Sequence, residues 1–190
     1  MREGGLVRLF LVALLAAAAI ACIFAAEADQ AKGEGCIFDG PNFAWIIPSP
    51  DGWILSCLSD EHPDVPIALW PSGSTWKSAQ VRMYINPTDR SGPNQTLAAF
   101  VSQEVQQFQQ RNPTVKVVAG APIETGSDGK ALVRHFTGDR WGNVESIAYV
   151  NATGPFAVVV LSAKNQVLHD RFYEVFKSLV AHMTSVGDRK

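Results

Sequence analysis

The stretch Phe156-Ala157-Val158-Val159-Val160-Leu161 constrains the fold more than any other part of the chain. It is an unbroken apolar run of strand length, rich in valine, with no polar face. A strand with two apolar faces belongs in the middle of a sheet and needs a cover on each side. The sequence supplies two amphipathic helices for this. In the first, Leu97, Val101, Val105 and Phe108 recur at three- and four-residue steps. Asn94 or Thr96 can cap it, and Asn112-Pro113 ends it, because proline disfavours helical geometry in the residue before it. Gln103, Gln106, Gln107, Gln109 and Gln110 form its neutral, solvated outer face. In the second, Asn165 is the cap, and Leu168, Phe172, Val175, Phe176, Leu179 and Met183 make one apolar stripe.

The remaining apolar runs read as strands. Val115–Val118, Ala131–Thr137 and Val144–Asn151 precede the central run. Ser127-Asp128-Gly129-Lys130, Gly138-Asp139, Trp141-Gly142-Asn143 and Asn151–Pro155 supply the turns between them. Connections this short force antiparallel neighbours. In the front half, Phe43–Ile47 stops at Pro48-Ser49-Pro50-Asp51-Gly52, and Trp53–Cys57 and Val65–Trp70 follow. Residues Ala79–Ile85 alternate cleanly, with Ala79, Val81, Met83 and Ile85 on one face. The expectation is an α+β domain: a largely antiparallel sheet of about seven strands covered by two main helices.

The start of the chain is an address. Arg2 and Arg8 lead into an apolar run from Leu9 to Ala21 that continues through Cys22-Ile23-Phe24 to Ala26. A basic start, a short apolar stretch and small residues after it describe a secretory signal peptide, with an uncleaved membrane anchor as the competing reading. Cleavage after Ala26-Glu27-Ala28 leaves a chain beginning near Asp29. Ala19-Ile20-Ala21-Cys22 is a degraded lipobox that would leave Cys22 lipidated. The division is therefore a signal peptide over 1–28, a tether over 29–42, and one domain over 43–190. Export makes the two cysteines beyond the leader, Cys36 and Cys57, a disulfide pair. It also places the chain in the periplasm or outside the cell, or on a membrane if Cys22 carries lipid. Asn94-Gln95-Thr96 and Asn151-Ala152-Thr153 fit glycosylation sequons, which a bacterial-type leader makes accidental.

At this point the chain resembles the PsbP-like family, which includes DcrB-type bacterial envelope proteins. Phe43-x-Trp45-x-Ile47-Pro48-x-Pro50-x-Gly52-Trp53 is similar to the family's opening strand and Pro-x-Gly-Trp turn. The helix from Thr96 to Arg111, the antiparallel strands after it, and the closing Phe172-x-x-x-Phe176-x-x-Leu179 helix follow its order. The resemblance implies an α-β-α sandwich whose members mostly bind partners or assist assembly without catalysis. The Cys36 and Cys57 pair and the proline-rich stretch from His62 to Pro71 depart from that pattern.

Chemistry-bearing motifs are missing. The chain has no Gly-x-Ser-x-Gly elbow, His-Glu-x-x-His, EF-hand loop or phosphate cradle. No cofactor or metal is expected; the cluster Asp60-Glu61-His62-Pro63-Asp64 reads as a solvated loop. His169 and His182 read as solvated helix residues, and His135 as the cross-strand partner of Glu145. A net charge of −2 removes nucleic acid as a partner, because phosphate neutralisation needs surplus Lys and Arg. Trp70, Trp76 and Trp141, with Arg140, sit at strand ends and loops, and large aromatics beside arginine dominate binding hot spots. They are the candidate surface for an envelope protein or small ligand. The leading expectation is a non-catalytic exported binding or assembly-accessory domain. A secreted inhibitor of a lysozyme or protease, using the loop from Asp60 to Trp76, is the alternative. An enzyme built on His135 with Asp139 or Glu145 is a third reading.

Overall fold

The computed structural model describes residues 35–60, 62–92, 94–126 and 129–187 of the chain. The expected signal peptide, the lipidation candidate Cys22 and the start of the tether, residues 29–34, lie outside these residues. The first strands are β1 (Cys36–Gly40), β2 (Phe43–Ile47), β3 (Trp53–Cys57), β4 (Ile67–Pro71) and β5 (Val81–Thr88). Helix α1 (Leu97–Arg111) follows, then β6 (Lys116–Ala119), β7 (Ile123–Thr125), β8 (Gly129–Thr137), β9 (Val144–Val150) and β10 (Phe156–Ala163). Helix α2 (Gln166–His182) and β11 (Thr184–Val186) close the described chain. No helix among the described residues is long and apolar enough to cross a membrane.

The main sheet runs β3-β4-β5-β10-β9-β8-β6, with β7 also on β8, and all pairings are antiparallel. The all-apolar strand β10 lies in its interior between β5 and β9, as its two apolar faces require. Register separates those faces. Ala157, Val159 and Leu161 align with Ile85 and Met83 of β5 and Ala148 and Val150 of β9, and this face packs on Phe176, Leu179 and Val180 of α2. Phe156 and Val158 point the other way, toward Phe100 and Val101 of α1. Thr96 caps α1, its hydroxyl accepting the Ala99 N–H, and Asn165 caps α2 by accepting the Leu168 N–H. The architecture is thus α+β, a mostly antiparallel sheet between two helices.

The small sheet β1-β2-β11 was not visible in the sequence pattern. Strand β1 falls inside the stretch expected to be a tether. It is extended because Cys36 through Gly40 pairs residue for residue with Ile47 back to Phe43. Trp45 and Ile47, both fully buried, and Phe38 carry this sheet's inner face into the main core. Cys36 and Cys57 are bonded, which ties β1 to the edge strand β3. Closing a loop of this separation, 21 residues, stabilises by about 3 kcal/mol in the chain-entropy account.

Candidate functional site

Helix α1 covers only part of its face of the sheet. Phe100 stacks on Phe156 at 4.7 Å and meets Tyr149 edge-on, and Phe108 meets Phe136 at 5.2 Å. On β4 and β5 the same face carries Ala68, Trp70, Arg82 and Tyr84, and the segment after β4 straps across it. Trp76, at the centre of the strap, lies 6.1 Å from the Trp70 ring and 6.4 Å from Tyr84, with the Arg82 guanidinium 5.1 Å above it. Trp70 is 5% exposed and donates its indole N–H to the Ser74 carbonyl. It is therefore a core residue and cannot belong to a recognition surface. His62 is also buried, 1% exposed, with Nδ1 on the Val65 carbonyl and its ring 5.8 Å from Trp76. Asp60, Pro63 and Asp64 are exposed, as a solvated loop requires, and only His62 folds inward; no group of three potential metal ligands occurs among the described residues. The strand expected over Val65–Trp70 is β4, Ile67–Pro71, inside the sheet, which removes that stretch from the protruding loop of the inhibitor reading.

Between the strap and the β8–β9 loop lies a cavity of about 100 Å³, lined by Trp76, Arg82, Tyr84, Asn143, Ser162 and Lys164. Glu145 is opposite Ser162 in register and hydrogen-bonded to its hydroxyl. Burial pushes the Glu145 carboxyl above its ordinary range, the Ser162 hydrogen bond opposes this, and Asp139 adds to it. The Tyr84 phenol is raised by burial first and by Glu145 second.

Trp141 stands apart from Trp70 and Trp76. It is 56% exposed on the β8–β9 loop, with the Arg140 guanidinium 4.1 Å from its ring. This exposed tryptophan is rigidly presented. The Asp139 carboxylate accepts the backbone N–H groups of Trp141 at 3.1 Å and Asn143 at 3.0 Å, and Gly142 turns the chain at φ +71°. A side chain at 142 would be strained, so glycine fixes the presentation.

His135 and Glu145 do not converge. His135 faces α2, aligned with Ser146, whereas Glu145 aligns with Phe136 on the opposite face of the sheet. Asp139 is engaged in its own loop. The true neighbours of His135 form a chain of hydrogen bonds that sequence reading missed. His135 Nδ1 and His169 Nε2 each lie 2.7 Å from Ser146 Oγ, and His169 Nδ1 lies 3.1 Å from the Asp170 carboxylate. One proton arrangement satisfies every link: His169 donates to Asp170, Ser146 donates to His169 Nε2, and His135 donates to Ser146. Carboxylate, imidazole and hydroxyl thus stand in the order that activates a serine. Ser146, however, is 0% exposed and its oxygen is held by two imidazoles, so no substrate atom reaches it. His169, expected on the solvated face of its helix, is buried and stacks on Tyr173 at 5.5 Å. The chain pins α2 to the sheet. Burial first, and His169 second, hold the His135 pKa below its ordinary value.

No protein-family model matches the chain, and no curated protein matches it. Among solved structures it is similar to the cyanobacterial PsbP (CyanoP) of Synechocystis sp. PCC 6803. That likeness has 11% identity and a TM-score of 0.42, and covers 80% of this chain and 92% of that one. It is also similar to the Ran-binding protein Mog1p of Saccharomyces cerevisiae, with 14% identity, a TM-score of 0.43, and coverage of 75% and 84%. Both are likenesses of fold only, and what either protein binds is a property of that protein.

Proposed function

We propose that this chain is an exported, non-catalytic recognition domain of the bacterial envelope, working in the periplasm or outside the cell, that binds a protein partner through the Trp141 loop. The leader pattern and the Cys36–Cys57 bond support export, since such bonds persist in oxidising compartments. The order of elements after Phe43 supports reading it within the PsbP-like group, DcrB-type proteins included, whose members mostly bind or assist assembly.

The observation that carries the reading is Trp141 itself. An exposed indole on a loop locked by Asp139 loses little conformational entropy on binding, and Arg140 beside it offers polar contacts at its rim. Tryptophan and arginine are the side chains that most often dominate interface energies. Among the described residues, the serine with a histidine–carboxylate arrangement, Ser146, is sealed beneath α2, which supports recognition over turnover.

Site-specific photo-cross-linking tests this in the native host. A benzoylphenylalanine at position 141 is expected to give one dominant protein adduct. The same probe at Gln103, on the exposed face of α1, is expected to give none. Equal adduct patterns at the two positions would refute the assignment.

A further inference from the structure

A second groove lies away from the Trp141 loop. It has a volume of about 450 Å³, within the range of small-ligand sites, and is walled by Pro41, Asn42, Phe43, Asp89, Arg90 and Pro155. The β1–β2 turn forms one wall, the residues after β5 a second, and the β9–β10 turn the third. Gly154 makes the fit possible. It turns at φ +83°, and a Cβ there would meet the Phe43 ring at 2.7 Å.

Arg90 is the organising group. Its Nε donates to the Gly154 carbonyl at 2.9 Å, and Nη2 donates to Asn151 Oδ1 at 2.8 Å and the Ala152 carbonyl at 3.1 Å. The guanidinium lies 4.0 Å from the ring centre of the fully buried Phe156. All of its partners are neutral. No carboxylate stands within ion-pair distance of it among the described residues, and Nη1 makes no hydrogen bond there. A guanidinium held this firmly keeps its fixed charge and spare donors for something outside the chain. We infer that the groove binds the carboxylate of a ligand with an apolar chain, the carboxylate on the outer edge of Arg90 and the apolar part against Phe43, Pro41 and Pro155. Asp89 sits in the same wall, is exposed and makes no ion pair among the described residues. Its charge opposes anions in the groove, and a doubly charged one more than a singly charged one. A free carboxylic acid and the C-terminus of a peptide present the same group.

Amide resonances in the native chain test this, with three probes: hexanoate, hexanol, and an N-acetylated tripeptide ending in leucine as free acid or amide. Hexanoate or the peptide acid should shift Asn42, Phe43 and Gly154 saturably, with Kd on the order of 1 mM, while hexanol and the peptide amide should not. Saturation by hexanoate alone identifies free acids as the source, and saturation by the peptide acid identifies chain termini. Asp89→Asn, a change at an exposed residue, should tighten carboxylate binding about threefold by removing a like charge. Arg90→Lys should weaken it about tenfold, because the free Nη1 donors and the bonds that anchor the group to the β9–β10 turn are lost while the charge is kept. No saturable shift with either acid, shifts that map elsewhere, or equal shifts with hexanol would overturn the assignment. An Asp89→Asn variant that binds no more tightly would do the same even if Arg90→Lys fails to fold.

Discussion

Replacing Ser146 with alanine tests the histidine chain directly. The change removes a single oxygen from a site with 0% exposure, so little volume is lost and the packing penalty is small. What is lost is a bridge. His169 Nε2, buried under α2, loses its donor, and an orphaned buried polar group costs about 1–3 kcal/mol. His135 Nδ1 loses its acceptor as well, but that ring is only half-buried and can turn toward water. The expected total is about 2 kcal/mol, which lowers the melting temperature of a domain this size by about 4–8 °C. Circular dichroism melts and urea titrations of the oxidised protein at about pH 8, where imidazoles are neutral, give both quantities. His169→Phe alone takes the acceptor from the Ser146 O–H while its oxygen keeps His135, so the double variant should cost at least about 0.5 kcal/mol less than the two single costs together. Additive costs, or a Ser146→Ala melt that matches the parent, would show that the short distances carry no coupling.

Three further expectations follow from the same geometry. His135 titrates below its ordinary 6.5 in the folded chain, so the unfolded chain binds more protons as pH falls past that value. Stability should therefore drop on acidification from about pH 6.5, and His135→Gln, which can still donate to Ser146, should flatten that slope in pH-resolved melts. Glu145 has the opposite sign: its raised pKa means the folded chain holds the extra proton, so ionising it weakens the fold as pH rises from the ordinary 4.5. Glu145→Gln should melt higher than the parent at neutral pH, with the gain disappearing in acid; a gain that persists in acid would contradict a charge-based cause. Replacing Cys36 and Cys57 with serine should cost about 3 kcal/mol, read as a melting temperature about 6–12 °C lower, and a parent melt insensitive to reductant would contradict the cross-link's role.

Much of the fold was legible because its signals are periodic. The apolar run at Phe156–Leu161 forced an interior strand, and the stripes of α1 and α2 with their Thr96 and Asn165 caps defined the two covers. The short strands escaped for the same reason. Three residues, as in β7 and β11, show no period, and β1 sits among glycine, aspartate and proline that read as a linker. The site was harder. Trp70 and Trp141 look equivalent in sequence, yet one lies on a strand facing His62 and Trp76 and the other on a turn facing water. His135 and Glu145 looked like cross-strand partners, but the register is offset by one, and a single-residue offset changes the face. Had that register been known, the neighbour Ser146 and its link to His169 would have been readable.

Affinity for the partner captured at position 141 tests the central claim most directly. Isothermal titration of the purified pair, comparing the parent chain with Trp141→Ala, should show binding weakened at least about thirtyfold, the mark of a hot-spot residue, with the melting temperature unchanged because Trp141 supports no core. Equal affinity for the two chains would contradict the claim that this loop is where the protein recognises its partner.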